Sequence, residues 1–119
     1  MAETKSFRDL EVWVMAMELA TAIYELTENF PSHEQYGIIA QIRRAAVSIP
    51  ANLAEGQNRR QNGPYRNHVG IALGSQGELD TLIELSVRLR YASDADVLPT
   101  QAMTARVGQM LSGLFRSLK

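Results

Sequence analysis

The sequence predicts an all-α protein, an up-down-up-down four-helix bundle whose second helix is kinked at Pro50. Apolar residues recur every three or four positions through four long segments, which is the spacing of amphipathic helices. Short clusters of turn residues separate these segments, and no stretch alternates with the two-residue period of a strand. The 119 residues suffice for one domain with one core, so we expect a single bundle over residues 1–119.

The first helix is expected over about residues 7–29, after a loose tail of residues 1–5. Ser6 and Asp9 have the spacing of a capping box at its start. Two apolar seams follow the helix, one with Leu10, Trp13, Met17, Ala20 and Tyr24, the other with Val12, Ala16, Leu19, Ile23 and Leu26. Together they are wider than one neighbouring helix covers, so we expect either a closely packed interior or burial against another subunit.

The second helix is expected over about residues 33–60 and contains the packing hub, QIRRAAVSIPANLAEG at residues 41–56. Pro31 should end the first helix, and Ser32 with Gln35 predicts a second capping box. Pro50 has no N–H, so the helix should bend there. The small residues around it should let a neighbouring backbone come close.

The third helix is expected over about residues 64–91, after a turn formed by residues 61–64, where Gly63 supplies the unusual dihedral angles. Gly70, Gly74 and Gly77 lie in its first half, and each costs up to about 1 kcal/mol relative to alanine. We interpret them as sites of close approach by another helix, with the bent part of the second helix as the first candidate and a functional surface as the rarer alternative. A new helix start at residues 93–96 predicts the fourth helix over about residues 94–118.

Composition sets the broad class of protein. The chain is 45% hydrophobic, carries a net charge of −1 and has no cysteine, which is typical of a globular protein without disulfides. It has no apolar run of membrane-spanning length and no signal-like start, so we expect a cytoplasmic protein.

Charge is distributed unevenly along the chain. Residues 1–42 hold two basic and seven acidic side chains (−5), and residues 43–90 hold seven arginines against four acidic side chains (+3). This asymmetry indicates either ordinary variation among helical surfaces or a middle segment that faces an anionic partner.

The sequence does not predict an enzyme, a metal site or a cofactor. The Glu-x-x-His spacing of carboxylate-bridged metal sites in bundles is absent, as are a nucleophile elbow and a phosphate-binding loop. His33 and His68 fall near predicted helix starts, where we expect them to be solvated.

Two groups of polar residues remain as candidates. One consists of polar residues within the apolar seams, which we expect to form a hydrogen-bonded network between helices 2 and 3 rather than a ligand site: Arg44 (or Arg43), Asn52, Glu55, Ser75 and Glu78. The other consists of arginines expected at one exposed end of the bundle, Arg59, Arg60 and Arg66, with Arg43 as a further candidate. Repeated around an oligomer, these would form a basic ring able to hold phosphates.

Four segments carry a resemblance to a known family: FRDLEVWVMAMELA, FPSHEQYGIIAQIRRAAVSIPANLAEG, IALGSQGELDTLIE and GQMLSGLFRSLK. The chain resembles the S23, or 23S rRNA intervening-sequence, family over nearly its whole length. The most specific part is QIRRAAVSIPANLAEG followed by GSQGEL.

The resemblance implies a four-helix bundle that assembles into a homopentameric ring. Some relatives are encoded within insertions in large-subunit ribosomal RNA genes. Others are accessory proteins of diversity-generating retroelements, in which the basic ring binds RNA and a partner reverse transcriptase. Two hypotheses follow: an RNA-binding accessory protein, or a structural or protein-interaction module that does not bind nucleic acid.

Overall fold

A computed structural model describes residues 6–119, and residues 1–5, the expected tail, lie outside the described residues. The described part contains four α-helices and no β-strand, which confirms the predicted all-α bundle. The helices are α1 (Glu11–Thr27), α2 (Ile38–Arg59), α3 (Asn62–Arg88) and α4 (Asp94–Ser117). Two short 3₁₀ turns, Phe7–Asp9 and Ser32–Glu34, precede α1 and α2.

Each helix packs against two others. Helix α1 contacts α2 and α4, and α3 contacts the same two helices, with the α2–α3 interface the most extensive. Because short connections reverse the chain three times, successive helices are antiparallel. One end of the bundle therefore holds the start of α1, the α2–α3 connection and the end of α4. We call this end the basic end and the other one the opposite end.

The core lies along the bundle axis and contains the predicted hub. Of the hub residues, Ile42, Ala46, Ile49 and Leu53 have no solvent exposure. In α1, the seam of Val12, Ala16, Leu19 and Ile23 is buried. The other seam is only partly covered, because Met17 and Tyr24 remain 43% and 45% exposed. The prediction of surplus apolar surface on this helix is thus confirmed.

Helix α1 begins four residues later than predicted. The Ser6 hydroxyl accepts a hydrogen bond from the Arg8 backbone N–H at 3.1 Å, and the turn that follows is 3₁₀ rather than α. Leu10 is extended, with ψ of 123°, and separates this turn from α1. The predicted start at residue 7 is wrong because the cap serves a separate turn.

Helix α2 also begins later than predicted, at Ile38 instead of about residue 33. Gly37 has φ of −103° and ψ of −117°, outside the helical region, and interrupts the chain between the 3₁₀ turn and α2. The predicted capping box of Ser32 and Gln35 is wrong, because only the Gln35 backbone N–H bonds to the Ser32 carbonyl, at 3.1 Å. The Glu34 carboxylate instead accepts from the Ile38 N–H at 3.3 Å.

The α2–α3 connection is tighter than predicted. Within this connection Arg60 takes the left-handed conformation, with φ of 58°, and α3 begins at Asn62. No described glycine has a positive φ, so the expectation that Gly63 supplies the unusual dihedrals is wrong. Gly63 instead lies in the first turn of α3.

Glycine is needed on α2 rather than on α3. A Cβ atom at Gly56 would lie 2.9 Å from the Cβ of His68 and 3.0 Å from Cδ1 of Tyr65, both on α3. Around Gly74 and Gly77, no described atom would lie within 4 Å of an added Cβ. The interpretation of the α3 glycines as contacts with α2 is therefore wrong at these two positions, and a Cβ at Gly70 would meet Phe115 of α4 at 3.4 Å.

Pro50 lies inside α2 and is buried. The helix continues on both sides of it, with the buried Ala45 and Ala46 one turn earlier. The bend at Pro50 stays a prediction.

Candidate nucleic-acid interface

Three of the four predicted nucleic-acid-binding arginines lie together at the basic end. Arg59 ends α2, Arg60 connects α2 to α3, and Arg66 lies in the first turns of α3. All three are exposed. The left-handed backbone of Arg60 reverses the chain between α2 and α3, and its side chain makes no polar contact with the described residues.

Arg59 is partly neutralised. Its guanidinium lies 3.3 Å from the carboxylate of Glu55, one turn earlier on α2, and both side chains are more than half exposed. Such a pair contributes only about 0.3–0.5 kcal/mol and is screened by salt. It leaves the arginine free to exchange Glu55 for a phosphate.

Arg66 has an aromatic neighbour on another helix. Its guanidinium carbon lies 3.7 Å from the centre of the Phe115 ring, which α4 places beside Gly70. The aromatic ring holds the planar cation at the mouth of a cleft between α3 and α4.

Antiparallel helices bring three further basic side chains to this end. Arg8 precedes α1, and Arg116 and Lys119 lie at the end of α4. Among the described residues, the basic side chains there (Arg8, Arg59, Arg60, Arg66, Arg116 and Lys119) outnumber the acidic ones (Asp9, Glu11 and Glu55). Sequence reasoning missed Arg8, Arg116 and Lys119 because they are distant in the chain. Their common location could have been predicted by combining the expected up-down-up-down topology with their positions at helix ends.

The opposite end has the reverse balance. Its acidic side chains are Glu25, Glu28, Glu34, Glu84, Asp94 and Asp96, against Arg43, Arg44, Arg88 and Arg90. Although the net charge of the chain is near zero, the two ends of the bundle carry opposite net charge. The basic end is the one suited to an anionic ligand.

Arg43 does not belong to the basic cluster. It lies near the opposite end, where its Nε–H donates to the Thr27 hydroxyl at 2.8 Å and its NH2 group donates to the Tyr24 carbonyl at 3.3 Å. The guanidinium also lies 4.4 Å from the centre of the Tyr24 ring. These contacts tie α2 to α1, so the structure supports a structural role for Arg43 rather than the predicted phosphate contact.

A polar network does join α2 to α3, as expected, but with partly different members. The Ser75 hydroxyl donates to the Ser48 hydroxyl at 2.8 Å. The Asn52 amide nitrogen donates to the Ser48 carbonyl at 2.9 Å and to its hydroxyl at 3.0 Å. This leaves the Asn52 amide oxygen facing Nδ1 of His68, 3.0 Å away.

His68 therefore carries its proton on Nδ1 when neutral. Its Nε2 then points toward Glu55, 3.8 Å from the carboxylate. The expectation that His68 is solvated is wrong, because its side chain is only 14% exposed. Ser48 and His68 were missed because they bond across the helix interface, where single-helix spacing gives no signal.

Arg44 and Glu78 lie outside this network. Both side chains are exposed, and Arg44 lines a surface cleft with Tyr24 and Tyr36. Helical rotation places them on the outer surfaces of α2 and α3, so they do not need the buried partners that were predicted for them.

The described residues contain no cluster of three or more metal-ligating side chains. Within residues 6–119, no helix is long and apolar enough to cross a membrane.

At the opposite end, the Tyr91 hydroxyl donates to the Glu34 carboxylate at 2.8 Å. This hydrogen bond lowers the pKa of Glu34, assisted by the bond from the Ile38 N–H, and it raises the pKa of Tyr91. Phe30 and His33 pack their rings near Tyr91. The cluster closes the end of the bundle around the α1–α2 connection.

Fold and site together define a helical bundle whose described residues form a basic end. The model of the 23S rRNA-intervening sequence protein family matches residues 8–113. The chain belongs to this family, as the resemblance in its sequence predicted.

A solved structure of unknown function shows the same fold. This protein, from the S23 ribosomal protein family of Bacteroides thetaiotaomicron, superposes with a TM-score of 0.81 at 22% sequence identity. The match covers 88% of this chain and 95% of that one. A search of curated proteins found no match.

Proposed function

We propose that this protein is a non-enzymatic accessory protein that binds RNA through its basic end. The observation that carries the proposal is the convergence of Arg59, Arg60 and Arg66 with basic side chains from the chain termini. The family's description names 23S rRNA, which supports testing RNA first among anionic ligands. Contact with phosphates would be electrostatic and independent of sequence.

We further propose that copies of the chain assemble into a ring, five copies by the resemblance described above, which repeats the basic end. The support is an exposed apolar surface along α1 and α2. Val14, Met17, Tyr24 and Val47 are each 41–45% exposed there, and a groove between the two helices reaches Pro50. Burying such a surface against another copy would be favourable.

The test is a filter-binding titration with a structured RNA at two salt concentrations. If a bound RNA makes about three phosphate contacts in total, affinity should fall about 20- to 40-fold between 50 and 200 mM salt, and each further contact would steepen the fall. The double variant R59A/R60A should weaken binding at 50 mM salt by about tenfold, or about 1.4 kcal/mol.

The chain offers a closely matched control at the opposite end. Arg88 pairs with Glu84 one turn earlier, as Arg59 does with Glu55. Arg90 has φ of 65°, like Arg60, and follows the end of its helix. R88A/R90A should therefore change stability as R59A/R60A does, yet leave RNA affinity within about twofold, because it adds to the acidity of an end that does not bind RNA.

Absence of RNA binding by the wild-type protein at low salt would exclude the RNA function. The protein-interaction module, which could dock a partner such as a reverse transcriptase, would then be the better interpretation. Equal losses in the two double variants would show that RNA does not prefer the basic end.

A further inference from the structure

We propose that the cleft beside Arg66 and Phe115 holds an unpaired nucleobase of the bound RNA. This inference rests on the proposed RNA binding and adds to it a preference for single-stranded segments. The cleft opens between α3 and α4 at the basic end, with a volume of about 530 Å³. Its lining residues are Gly63, Arg66, Asn67, Gly70, Ile71 and Phe115.

Arg66 supplies a stacking surface. Its guanidinium carbon lies over the Phe115 ring, 3.7 Å from the ring centre, and the residue as a whole is exposed. The side of the guanidinium that is turned away from the ring is where a base would stack. Nucleobases stack on guanidinium planes as they do on aromatic rings. Because Phe115 already restricts the guanidinium of Arg66, little side-chain conformational entropy is lost when a base binds.

The rest of the cleft suits a flat, polar-edged ring. Gly63 and Gly70 have no side chains to obstruct it. Asn67 is exposed and offers both a donor and an acceptor, the two groups that a base edge requires. Ile71 is 46% exposed and provides an apolar flank.

Charge favours RNA as the occupant of this cleft. Arg60 and Arg116 lie at the same end and could bind the phosphates on either side of a stacked base. If the guanidinium of Arg66 served only to cover Phe115, neither the open cleft beside it nor the positive charge around it would be required. Single-stranded nucleic-acid sites typically combine a cationic groove with planar groups that stack bases.

The probe is a 12-nucleotide uridine strand with one central 2-aminopurine, tested at low salt as a single strand and in a duplex. Wild-type protein should quench the 2-aminopurine fluorescence of the single strand. R66K keeps the positive charge but removes the planar guanidinium on which a base would stack. Because stacking contributes about 1–3 kcal/mol per base, the affinity for the single strand should fall at least about fivefold. Duplex affinity should change less than twofold.

R88K is the matched control, because it makes the same exchange at an exposed arginine of the opposite end, outside the proposed RNA-binding surface, and should leave both affinities within twofold. F115L is a second variant, which should reduce quenching while the charge at the site stays constant. Thermal unfolding of each variant confirms that it is folded.

Binding without quenching, or equal losses of single-strand and duplex affinity in R66K, would overturn the stacking site and leave the RNA function standing. If neither form of RNA binds at low salt, the proposed function fails and the stacking site fails with it.

Discussion

At the scale of single residues, Gly56 lies where α2 and α3 approach each other closely. Its Cα faces Tyr65 and His68, and an added Cβ would lie 3.4 Å from the Tyr65 carbonyl as well as close to both side chains. Backbone cannot move aside as a flexible side chain can. We therefore expect Gly56→Ala to lower the free energy of unfolding by about 1–3 kcal/mol, although alanine favours the helix.

Urea denaturation measures this change, and Gly74→Ala is its control. Gly74 is also inside a helix, but nothing described lies near an added Cβ. That variant should gain about 0.5–1 kcal/mol from helix propensity. A Gly56→Ala protein as stable as Gly74→Ala would show that α2 and α3 are not in tight contact at this point.

The hydrogen bond between Tyr91 and Glu34 should make stability depend on pH. Because the folded pKa of Glu34 is lowered, its contribution is full above the unfolded value of about 4.3 and is lost as pH falls through the folded pKa. Because the folded pKa of Tyr91 is raised, its contribution is full below about 10 and is lost as pH rises further.

Tyr91→Phe removes the hydroxyl and keeps the ring that packs on Phe30. It should be less stable than wild type between about pH 5 and 9, and the difference should narrow below pH 4 and above pH 10. Chemical denaturation across that range measures it. A difference that does not vary with pH would mean that the two groups are not coupled.

At the scale of helices, α4 starts where the sequence predicted, and the structure shows a capping box there. The Ser93 hydroxyl accepts from the Asp96 N–H at 3.1 Å, and the Asp96 carboxylate accepts from the Ser93 N–H at 3.0 Å. Ser93→Ala should cost about 0.5–2 kcal/mol of stability, measured by thermal or urea unfolding.

Ser32→Ala is a matched control. Ser32 has the same capping-box spacing in the sequence, but in the structure its 3₁₀ turn has no side-chain cap. Its substitution should change stability by less than about 0.5 kcal/mol. If both variants lost equal stability, capping geometry would not distinguish these helix starts.

The contrast between these two serines shows how far the sequence could predict the helices. Periodicity predicted four helices and their buried faces, because apolar spacing reports directly on which face is covered. Helix starts were less predictable, because the same spacing preceded an α-helix at Ser93 and a 3₁₀ turn at Ser32. Gly37, which interrupts the chain before α2, has a backbone conformation that composition does not specify.

The candidate site was predictable to the extent that it is local in the chain. Arg59, Arg60 and Arg66 flank one connection, so their common position followed from the sequence. Arg116 lies at the same end only because the helices are antiparallel, so its place in the site did not follow from its position in the chain. Contacts across helices, such as that between Asn52 and His68, depend on the relative rotation of α2 and α3, which no single helical pattern determines.

At the scale of the whole molecule, uneven charge and exposed apolar surface occupy different places. The bundle measures 48 × 24 × 20 Å, and its charge separates along the long axis between the basic end and the opposite end. The apolar surface of Val14, Met17, Tyr24 and Val47 lies on its flank. Copies joined through their flanks would therefore present their basic ends side by side, which would increase the avidity of each ring for one RNA.

This arrangement predicts the effect of a charge on the flank. Met17→Glu places a carboxylate in the proposed subunit contact, where burial without a partner is unfavourable, so the assembly should dissociate to protomers. Because Met17 is 43% exposed in the single chain, the protomer itself should remain folded. Size-exclusion chromatography with light scattering measures the mass, and circular dichroism measures the helix content.

Val47→Glu, on the facing helix, should have the same effect if the groove between α1 and α2 is the contact. Leu98→Glu is the control, because Leu98 is 62% exposed on α4 and does not line the groove between α1 and α2, and its variant should keep the mass of the wild-type assembly. A wild-type protein that is monomeric at micromolar concentration would contradict the ring. Assembly that survives both flank variants would place the subunit contact on another face, and the exposed groove would then need a different partner.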